Sequence, residues 1–271
     1  MTAPSRTAAL LDAVTERTPL VHCVTNLVAT TFSANALLAV GASPAMVEDP
    51  GEAAELAAVA GALVVNTGTM SPERADGMGA AASAARDAGT PWLLDPVGVG
   101  PLPLRTRVAA DLLELAPTVV RGNASEVLAL AGQEGRGRGV DATASVADAA
   151  DAADELARRR GGVVAVSGAI DRLTDGATAV HVRGGHPLMG RVTAMGCALG
   201  AVTAAFLAAA RSTGDDVLTA AVAAHAVVGV CGAAAGEAAR GPGSFVPAWI
   251  DELAALDDDA ATAADALVDP A

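Results

Sequence analysis

Residues 62–100 read ALVVNTGTMSPERADGMGAAASAARDAGTPWLLDPVGVG and contain the clearest fold signal in the chain. Two short apolar runs, 63–66 and 92–95, flank an Ala-rich segment, 72–87, whose length suits a helix. Strands that are apolar throughout are typical of parallel sheets, because helices cover such sheets on both faces. The stretch therefore predicts a strand–helix–strand unit with parallel strands.

The same alternation continues along most of the chain. The other predicted strands are 20–24, 45–47, 118–121, 163–167 and 178–182. The other predicted helices are 28–40, 52–60, 105–115, 124–131 and 145–159, and the chain after Cys197 is expected to be entirely helical and to end with a helix over 248–255. No change in composition marks a linker, so we expect one α/β domain over residues 1–271, with a mostly parallel central sheet covered by helices on both faces.

The charged residues exclude several classes of function. The formal net charge is −14, which disfavours nucleic acid or an anionic membrane as a partner, because both attract basic surfaces. All 17 basic residues are Arg, and the chain has no Lys. This excludes a phosphate-binding loop that uses Lys, a Schiff base and a Lys general base. A phosphate site here would have to use Arg, a metal ion and helix ends.

Three cysteines stand at wide spacing without a CxxC pair: Cys23, Cys197 and Cys231. We therefore expect neither a disulfide framework nor a structural zinc site, and a reducing cytoplasm is the default location. The N-terminal segment combines charged residues with no long apolar core, so no signal peptide is expected. The apolar segment 217–236 contains His225 and is expected to be a buried helix rather than a membrane span.

Polar or glycine-rich residues follow the apolar runs, where ligands of open parallel sheets bind. These segments are 25–26, 46–49, 66–69, 95–100, 121–126, 167–168 and 193–197. Since the carboxyl ends of parallel strands meet at one edge of the sheet, the seven segments together predict a pocket. Segment 132–154, by contrast, is expected to be a surface loop that leads into a solvated helix.

Two of these segments favour a metal and a triphosphate. Asp95 ends an apolar run and suits Mg²⁺ beside phosphates, with a turn or cap role as the alternative. Asn123 and Glu126 have the spacing of a helix-capping pair, which alone is the better interpretation. With Arg121 adjacent and Asp95 one strand away, the group favours metal and triphosphate binding instead.

Residues 191–200 read RVTAMGCALG and open an apolar helix after a strand-rich region. The unpaired N–H groups and the positive end of such a helix commonly bind phosphate. The candidate anion hole consists of Ala194, Met195, Gly196 and Cys197. The same helix end is expected to lower the pKa of the Cys197 thiol and to favour the thiolate.

Several other residues permit two interpretations. Asn26 is either a helix cap or a hydrogen-bond partner for a heterocycle, and Met46 is either core or a contact for an aromatic ligand. The side chains of His22, Cys23 and His225 are expected to be packed rather than to bind ligands.

Taken in order, eight short motifs resemble the hydroxyethylthiazole kinase family of the ribokinase-like superfamily. They are VHCVTNLV, ANALLAVGASPAMVEDP, ALVVNTGT, LLDPVGVG, VVRGNASE, VVAVSG, VTAMGCALGA and GPGSF, between Pro19 and Phe245. The resemblance implies a ribokinase-like α/β sandwich and a homotrimer with sites between subunits. It also implies ATP- and Mg²⁺-dependent phosphorylation of 4-methyl-5-(2-hydroxyethyl)thiazole, a thiamin-salvage reaction.

The resemblance further implies a role for each matching residue. The implied substrate contacts are Asn26, Met46, Gly68 and Ala194, and the implied ATP contacts are Arg121 and Ser167. The implied carboxylates for magnesium and phosphate are Asp95 and Glu126. The implied catalytic residue is Cys197, at a position where most ribokinase-like enzymes have Asp. One departure is that the family's usual Gly-Ala/Thr-Gly-Cys reads Ala194-Met195-Gly196-Cys197. This bears on substrate fit rather than on the type of reaction.

Four alternatives stay open at this point. Another ribokinase-like kinase, for hydroxymethylpyrimidine or a sugar, and a nucleotide-dependent dehydratase of hydrated NAD(P)H would normally have Asp in place of Cys197. A nucleotide-binding subunit with a regulatory thiol would lack phosphate transfer. An enzyme of the Cys–His type would need a His presented to Cys197, and no His stands at a predicted strand end.

Overall fold

The computed structural model describes residues 5–132 and 144–271, and its centre is a nine-stranded sheet. The strands within these ranges are β1 Leu20–Val24, β2 Ser43–Ala45, β3 Ala62–Asn66, β4 Trp92–Asp95, β5 Val119–Asn123, β6 Val163–Ser167, β7 Asp171–Thr174, β8 Ala179–Val182 and β9 Val268–Pro270. Their order across the sheet is β2-β1-β3-β4-β5-β6-β7-β8-β9. All pairs from β2 to β6 are parallel, whereas β7, β8 and β9 are added in antiparallel orientation.

Helices connect the parallel strands, as the sequence predicts. Their bounds are α1 Arg6–Arg17, α2 Thr30–Ala39, α3 Pro50–Val59, α4 Pro72–Ala88, α5 Pro103–Leu113, α6 Ala124–Leu130, α7 Ala150–Arg160, α8 Met195–Thr213, α9 Val217–Ala238, α10 Pro242–Ala254 and α11 Asp258–Asp265. Short 3₁₀ turns cover Ala147–Ala149 and Pro187–Arg191.

Local signals set the ends of these helices. The hydroxyl of Ser71 accepts the N–H of Arg74, Pro72 occupies the first helical position of α4, and Gly89 ends the helix in the left-handed conformation, φ 68°. Ser is favoured before a helix because its hydroxyl accepts an N–H that has no helical partner, and Pro is favoured at the first position because it has no such N–H. Gly is favoured after the last turn because it adopts the left-handed conformation without strain.

The sheet separates two apolar cores, which confirms the predicted layers. Along β3, Val64 belongs to the core under α1, α2, α8, α9 and α10, whereas Leu63 and Val65 belong to the core under α3 to α7. Successive residues of a strand point to opposite faces, so a strand that is apolar throughout is buried by helices on both sides.

The structure corrects three predictions about the elements. The edge strand is Ser43–Ala45 rather than 45–47. The chain after Cys197 is not entirely helical and does not end with a helix over 248–255, because α11 and the short strand β9 follow α10. Strand β7 is also additional: its sequence, DRLT, is too polar for the apolar pattern, and it is stabilised by pairing with β6 and β8.

Two helices, α8 and α9, are long and apolar enough to cross a membrane by length and composition alone. Most of each is buried inside the fold, which is typical of core helices, and this agrees with the prediction for 217–236. Of the segment 132–154, residues 133–143 lie outside the described ranges, and the part that follows forms a 3₁₀ turn and the start of α7.

Candidate active site

Four side chains from different elements, one of them Cys197, form a hydrogen-bonded cluster at the carboxyl edge of the sheet. The amide nitrogens of Asn26 and Asn66 each lie 3.3 Å from Sγ of Cys197. The Asn66 amide also donates to Asp95 at 2.6 Å and accepts from Asn26 at 2.9 Å. The cluster thus brings together two strand ends, the turn after β1 and the first turn of α8.

Asp95 is the buried carboxylate of this cluster, with 2% of its surface exposed. Burial raises the pKa of Asp95 to about 6, the nearby Glu126 carboxylate adds to the rise, and the Arg121 guanidinium and the Asn66 amide oppose it. The Nη1 atom of Arg121 lies 3.9 Å from Oδ2 of Asp95. A second positive charge at this point would favour the ionised form further.

The environment of Cys197 contradicts the predicted thiolate. Burial and the negative charge of Asp95 raise the pKa of the Cys197 thiol, and the amides of Asn26 and Asn66 and the charge of Arg121 only partly offset this. Desolvation disfavours the charged form of any thiol, and it is the largest of these effects on Cys197.

The start of α8 is open, as the anion-hole prediction requires. Ala194 precedes the helix in the left-handed conformation, φ 66°, and its side chain forms no cap. The first N–H groups of a helix have no partner within it, so those of Met195, Gly196 and Cys197 face away from the helix body. A Cβ atom on Gly196 would lie 2.7 Å from Nη1 of Arg121, so a larger residue here would displace this guanidinium from the helix end.

A cavity of about 590 Å³ opens beside this helix end. Its lining includes Arg121, Ser167, Met195 and Gly196. The Nε atom of Arg121 and the hydroxyl of Ser167 are buried without a hydrogen-bond partner among the described residues. Buried polar groups normally have partners, so these two donors point to a ligand that supplies acceptors.

The capping interpretation of Asn123 and Glu126 is correct. The side chain of Asn123 accepts the N–H of Glu126, and the Glu126 carboxylate accepts the N–H of Asn123, each at 2.9 Å. The other oxygen of Glu126 accepts the N–H of Gly98 at 3.1 Å, which ties the loop after β4 to α6. The carboxylate therefore has a structural role, and its charge still acts on Asp95.

The predicted substrate contacts divide between the cluster and its surroundings. Gly68 packs so closely against Asn26 that a Cβ atom would lie 2.6 Å from the Asn26 side chain. Met46 follows the edge strand β2, partly buried against the core, and is not a member of the hydrogen-bonded cluster. Met195 lies on the side of the cavity, together with Arg121 and Ser167.

Three features of the site were given no role in it by the sequence-based prediction. Asn66 links both neighbouring strands, and its position at a strand end was the signal that could have identified it. Nδ1 of His225, in α9, lies 2.7 Å from Asp171 of β7, and both residues line the cavity. Arg74, in α4, donates to three separate loops and has no local sequence signal.

The mostly parallel sheet with an antiparallel edge, together with an open helix end and a carboxylate beside it, has the architecture of the ribokinase-like class. The model of the family described as "Hydroxyethylthiazole kinase family" matches residues 11–259. The chain belongs to the hydroxyethylthiazole kinase family.

Individual relatives agree with this assignment. A protein named hydroxyethylthiazole kinase from Kineococcus radiotolerans is 54% identical over 256 residues, which cover 94% of this chain and 92% of the relative. A namesake from Rhizobium etli is 53% identical over 251 residues, or 93% and 96% of the two chains. The solved structure of a hydroxyethylthiazole kinase protein from Pyrococcus horikoshii OT3 has a TM-score of 0.85 at 37% identity and covers 94% of each chain.

Family membership makes the protein a phosphotransferase, with ATP as the phosphate donor. It favours this activity over the dehydratase, the non-catalytic subunit and the Cys–His enzyme. The predicted fold class and the predicted family are thus both confirmed.

Proposed function

We propose that the protein transfers the γ-phosphoryl group of ATP to the hydroxyl of 4-methyl-5-(2-hydroxyethyl)thiazole, in thiamin salvage. The alternative within the superfamily is a kinase for another heterocyclic alcohol, such as hydroxymethylpyrimidine. The family match and the names of the relatives support the thiazole alcohol. The single structural observation that carries the proposal is the open end of α8, where Arg121 and Ser167 line a cavity and each has a buried donor without a partner among the described residues.

We assign the triphosphate to the cavity side of α8. Arg121, Ser167 and the N–H groups of residues 195–197 supply hydrogen bonds and positive charge to the phosphate oxygens. Donors that are already in place cost little reorganisation as charge develops on the transferring group. Since phosphoryl transfer passes through a loose transition state, positioning and electrostatics provide most of the rate.

Asp95 and Glu126 would hold Mg²⁺. The fit rests on the chemistry of the donors: burial, and to a smaller extent the Glu126 carboxylate, raise the pKa of Asp95, and a divalent cation would offset both effects by stabilising the ionised form. Among the described residues, no group of three or more His, Cys, Asp or Glu side chains could hold a metal by itself. Mg²⁺ typically combines one or two carboxylates with substrate phosphates and water, so a pair is sufficient. When bound, the ion neutralises charge on the phosphates.

We place the alcohol on the opposite side of Cys197, with its hydroxyl near Sγ and its ring near Asn26, Met46, Gly68 and Ala194. The hydroxyl oxygen bonds to the γ-phosphorus, the bond from phosphorus to the β,γ-bridging oxygen breaks, and ADP leaves. Cys197 accepts the hydroxyl proton. Because the pKa of the thiol is raised, the thiolate is scarce at neutral pH, and the amides of Asn26 and Asn66 stabilise it when it forms.

The assembly and location follow the family. We propose a homotrimer whose sites lie between subunits, in the cytoplasm, without a nucleic-acid or membrane partner.

The test is direct measurement of phosphate transfer. Purified enzyme, ATP and Mg²⁺ are combined with the thiazole alcohol, hydroxymethylpyrimidine or pyridoxal, and the phosphate ester is identified by ³¹P NMR. We expect the thiazole ester to form with the highest kcat/KM. A higher kcat/KM for either of the other alcohols would contradict the proposal. ADP release without an ester would identify a hydrolase instead.

A further inference from the structure

Arg74 is a buried cation outside the catalytic cluster, on the first turn of α4. Its side chain is 9% exposed. Nε donates to the carbonyl of Thr69 at 2.8 Å, Nη2 donates to the carbonyl of Thr25, and Nη1 forms an ion pair with Glu48. One guanidinium thus binds the loops that follow β1, β2 and β3.

Each of these loops carries one of the proposed thiazole contacts. Thr25 precedes Asn26, Thr69 follows Gly68, and Glu48 lies two residues after Met46. The remaining site residues, on β4, β5, β6 and at the start of α8, have no bond to Arg74 among its hydrogen bonds in the described chain. The guanidinium therefore acts on one half of the site, the half that we assign to the alcohol.

Further contacts hold the same loops in one arrangement. Nε2 of His22 lies 2.7 Å from the carbonyl of Val47, and the N–H of Leu27 donates to the hydroxyl of Thr69 at 3.3 Å. A Cβ atom on Gly77 would lie 2.2 Å from the carbonyl oxygen of Glu48, so glycine at this position lets α4 approach the loop.

The chemistry of the three acceptors requires Arg rather than Lys. A guanidinium has five N–H donors in a rigid plane and reaches partners in several directions, whereas an ammonium is a single point charge on a flexible chain. Two of the acceptors are backbone carbonyls, which are costly to leave without a donor when they are buried. Loss of the guanidinium should therefore release the loops rather than leave them in place.

We propose that Arg74 is a positioning residue that sets the shape of the alcohol-binding half of the site by holding the loops of Asn26, Met46 and Gly68 together. It touches neither substrate. The assignment of this half to the alcohol rests on the proposed function, whereas the holding of the three loops does not.

The test compares Arg74→Met and Arg74→Lys with Arg86→Met, a matched change on the same helix. Arg86 is exposed and bonds only to Asp87 and Ser83 among the described residues, close to it in sequence. For Arg74→Met we expect the KM of the thiazole alcohol to rise about tenfold or more. A tenfold change corresponds to the free energy that the loss of one charged hydrogen bond typically costs. The KM of ATP should stay within about twofold, Arg74→Lys should recover part of the loss, and Arg86→Met should match the wild type.

Hydrogen–deuterium exchange separates positioning from general destabilisation and does not depend on activity. In Arg74→Met, exchange should accelerate in segments 24–28, 45–49 and 67–70 and stay unchanged in β5 and β6. Equal acceleration in β5 and β6, an equal rise in both KM values, or an unchanged KM of the alcohol would overturn the proposal.

If Arg74→Met does not fold, Glu48→Gln replaces it, because Glu48 is 51% exposed and its loss removes only the ion pair. A wild type that does not phosphorylate the thiazole alcohol would refute the proposed function, and the exchange data would still decide whether Arg74 holds the loops.

Discussion

Ala194 is a non-glycine residue in the left-handed conformation, φ 66°, immediately before α8. Such a conformation costs about 1–2 kcal/mol. Replacement by Gly removes this cost but adds about 0.4–1 kcal/mol of entropy to the unfolded chain. We therefore expect Ala194→Gly to raise the free energy of unfolding by up to about 1.5 kcal/mol in urea denaturation, with kcat within about twofold of the wild type.

Ala116 provides the matched control for this substitution. It is exposed, has φ 55° and lies outside the catalytic cluster. Ala116→Gly should give a similar gain in stability. A loss of kcat in Ala194→Gly alone would show instead that the strained backbone contributes to phosphate transfer.

Cys197 is the proposed proton acceptor, and its effect on the rate should be limited. A general base contributes roughly 10²–10⁴-fold, and a loose transition state places the effect near the lower end. We expect Cys197→Ala to lower kcat by about 10²-fold or less and to leave measurable activity, while Cys197→Asp is tolerated or faster. Cys231→Ala, a change at another buried cysteine, is the control for packing.

The pH dependence of kcat tests the same role independently. Burial and Asp95 raise the pKa of the Cys197 thiol, so the thiolate increases only toward alkaline pH, and kcat of the wild type should rise with it. Cys197→Ala should lack this rise. An unchanged kcat, or the same pH profile in both enzymes, would exclude the thiol as the base.

Asp95 should make the metal-free protein less stable as the pH increases. Its pKa is raised from 3.8 to about 6, mainly by burial, so the fold favours the protonated acid. The stabilisation is complete below the ordinary pKa of 3.8 and is lost as the pH rises through about 6. One pKa unit corresponds to about 1.4 kcal/mol, so ionisation costs about 3 kcal/mol.

Asp95→Asn removes this ionisation. The free energy of unfolding is measured by urea denaturation with EDTA. Relative to the wild type, that of the variant should increase by up to about 3 kcal/mol between about pH 4 and about pH 8. Asp175→Asn, in an exposed turn, is the control. A stability difference between Asp95→Asn and the wild type that does not change with pH would contradict the assigned cause.

At the scale of elements, the pair Asp171–His225 connects α9 to the turn between β6 and β7. One oxygen of Asp171 lies 2.7 Å from His225, and the other accepts the N–H of Gly168 at 2.9 Å, next to Ser167. We expect Asp171→Ala to raise the KM of ATP about tenfold, because the Ser167 hydroxyl loses its fixed position, and to affect the KM of the alcohol little. Steady-state kinetics with each substrate varied would measure both.

Asp175→Ala is the matched control at the other end of β7. Asp175 likewise accepts backbone N–H groups, those of Ala177 and Thr178, at 2.8 and 2.6 Å. It should cost similar stability without changing the KM of ATP. If both variants raised this KM equally, the effect would be destabilisation of the hairpin rather than loss of the turn beside Ser167.

The same elements show what the sequence could and could not predict. The parallel strands were predictable because each is an apolar run bounded by polar residues, and Asp95 and Ser167 end β4 and β6 as predicted, whereas β5 continues two residues beyond Arg121. Strand β7 has no such pattern and depends on its neighbours for pairing. Arg74 was missed because its partners Glu48 and Thr25 lie 26 and 49 residues away, so nothing near it in the chain indicates its role. The prediction that the pKa of Cys197 is lowered was wrong, because the sequence shows that Cys197 lies at the start of a helix but not how deeply its thiol is buried.

For the whole molecule, the edge of the sheet at β2 has the features of an intersubunit surface. Leu38 of α2 and Val59 of α3, on the two sides of this edge, are 61% and 75% exposed, and Leu27 before α2 is 65% exposed. The strand itself is only half-buried and ends the sheet. Exposed apolar groups beside an open strand edge favour association. Burying them in an interface stabilises the complex by about 25 cal/mol for each Å² of apolar surface removed from water.

We therefore expect the chain of 26.4 kDa to sediment as a trimer, and the double variant Leu27→Glu, Leu38→Glu to sediment as a monomer. This surface is close to the proposed alcohol contacts, because Leu27 adjoins Asn26 and Met46 follows the edge strand β2. The monomer should therefore lose activity toward the alcohol while each chain stays folded. Leu104→Glu, at a 37% exposed leucine on α5, is the control and should remain trimeric and active. A double variant that stays trimeric would place the interface elsewhere, and a fully active monomer would show that each site is complete within one chain.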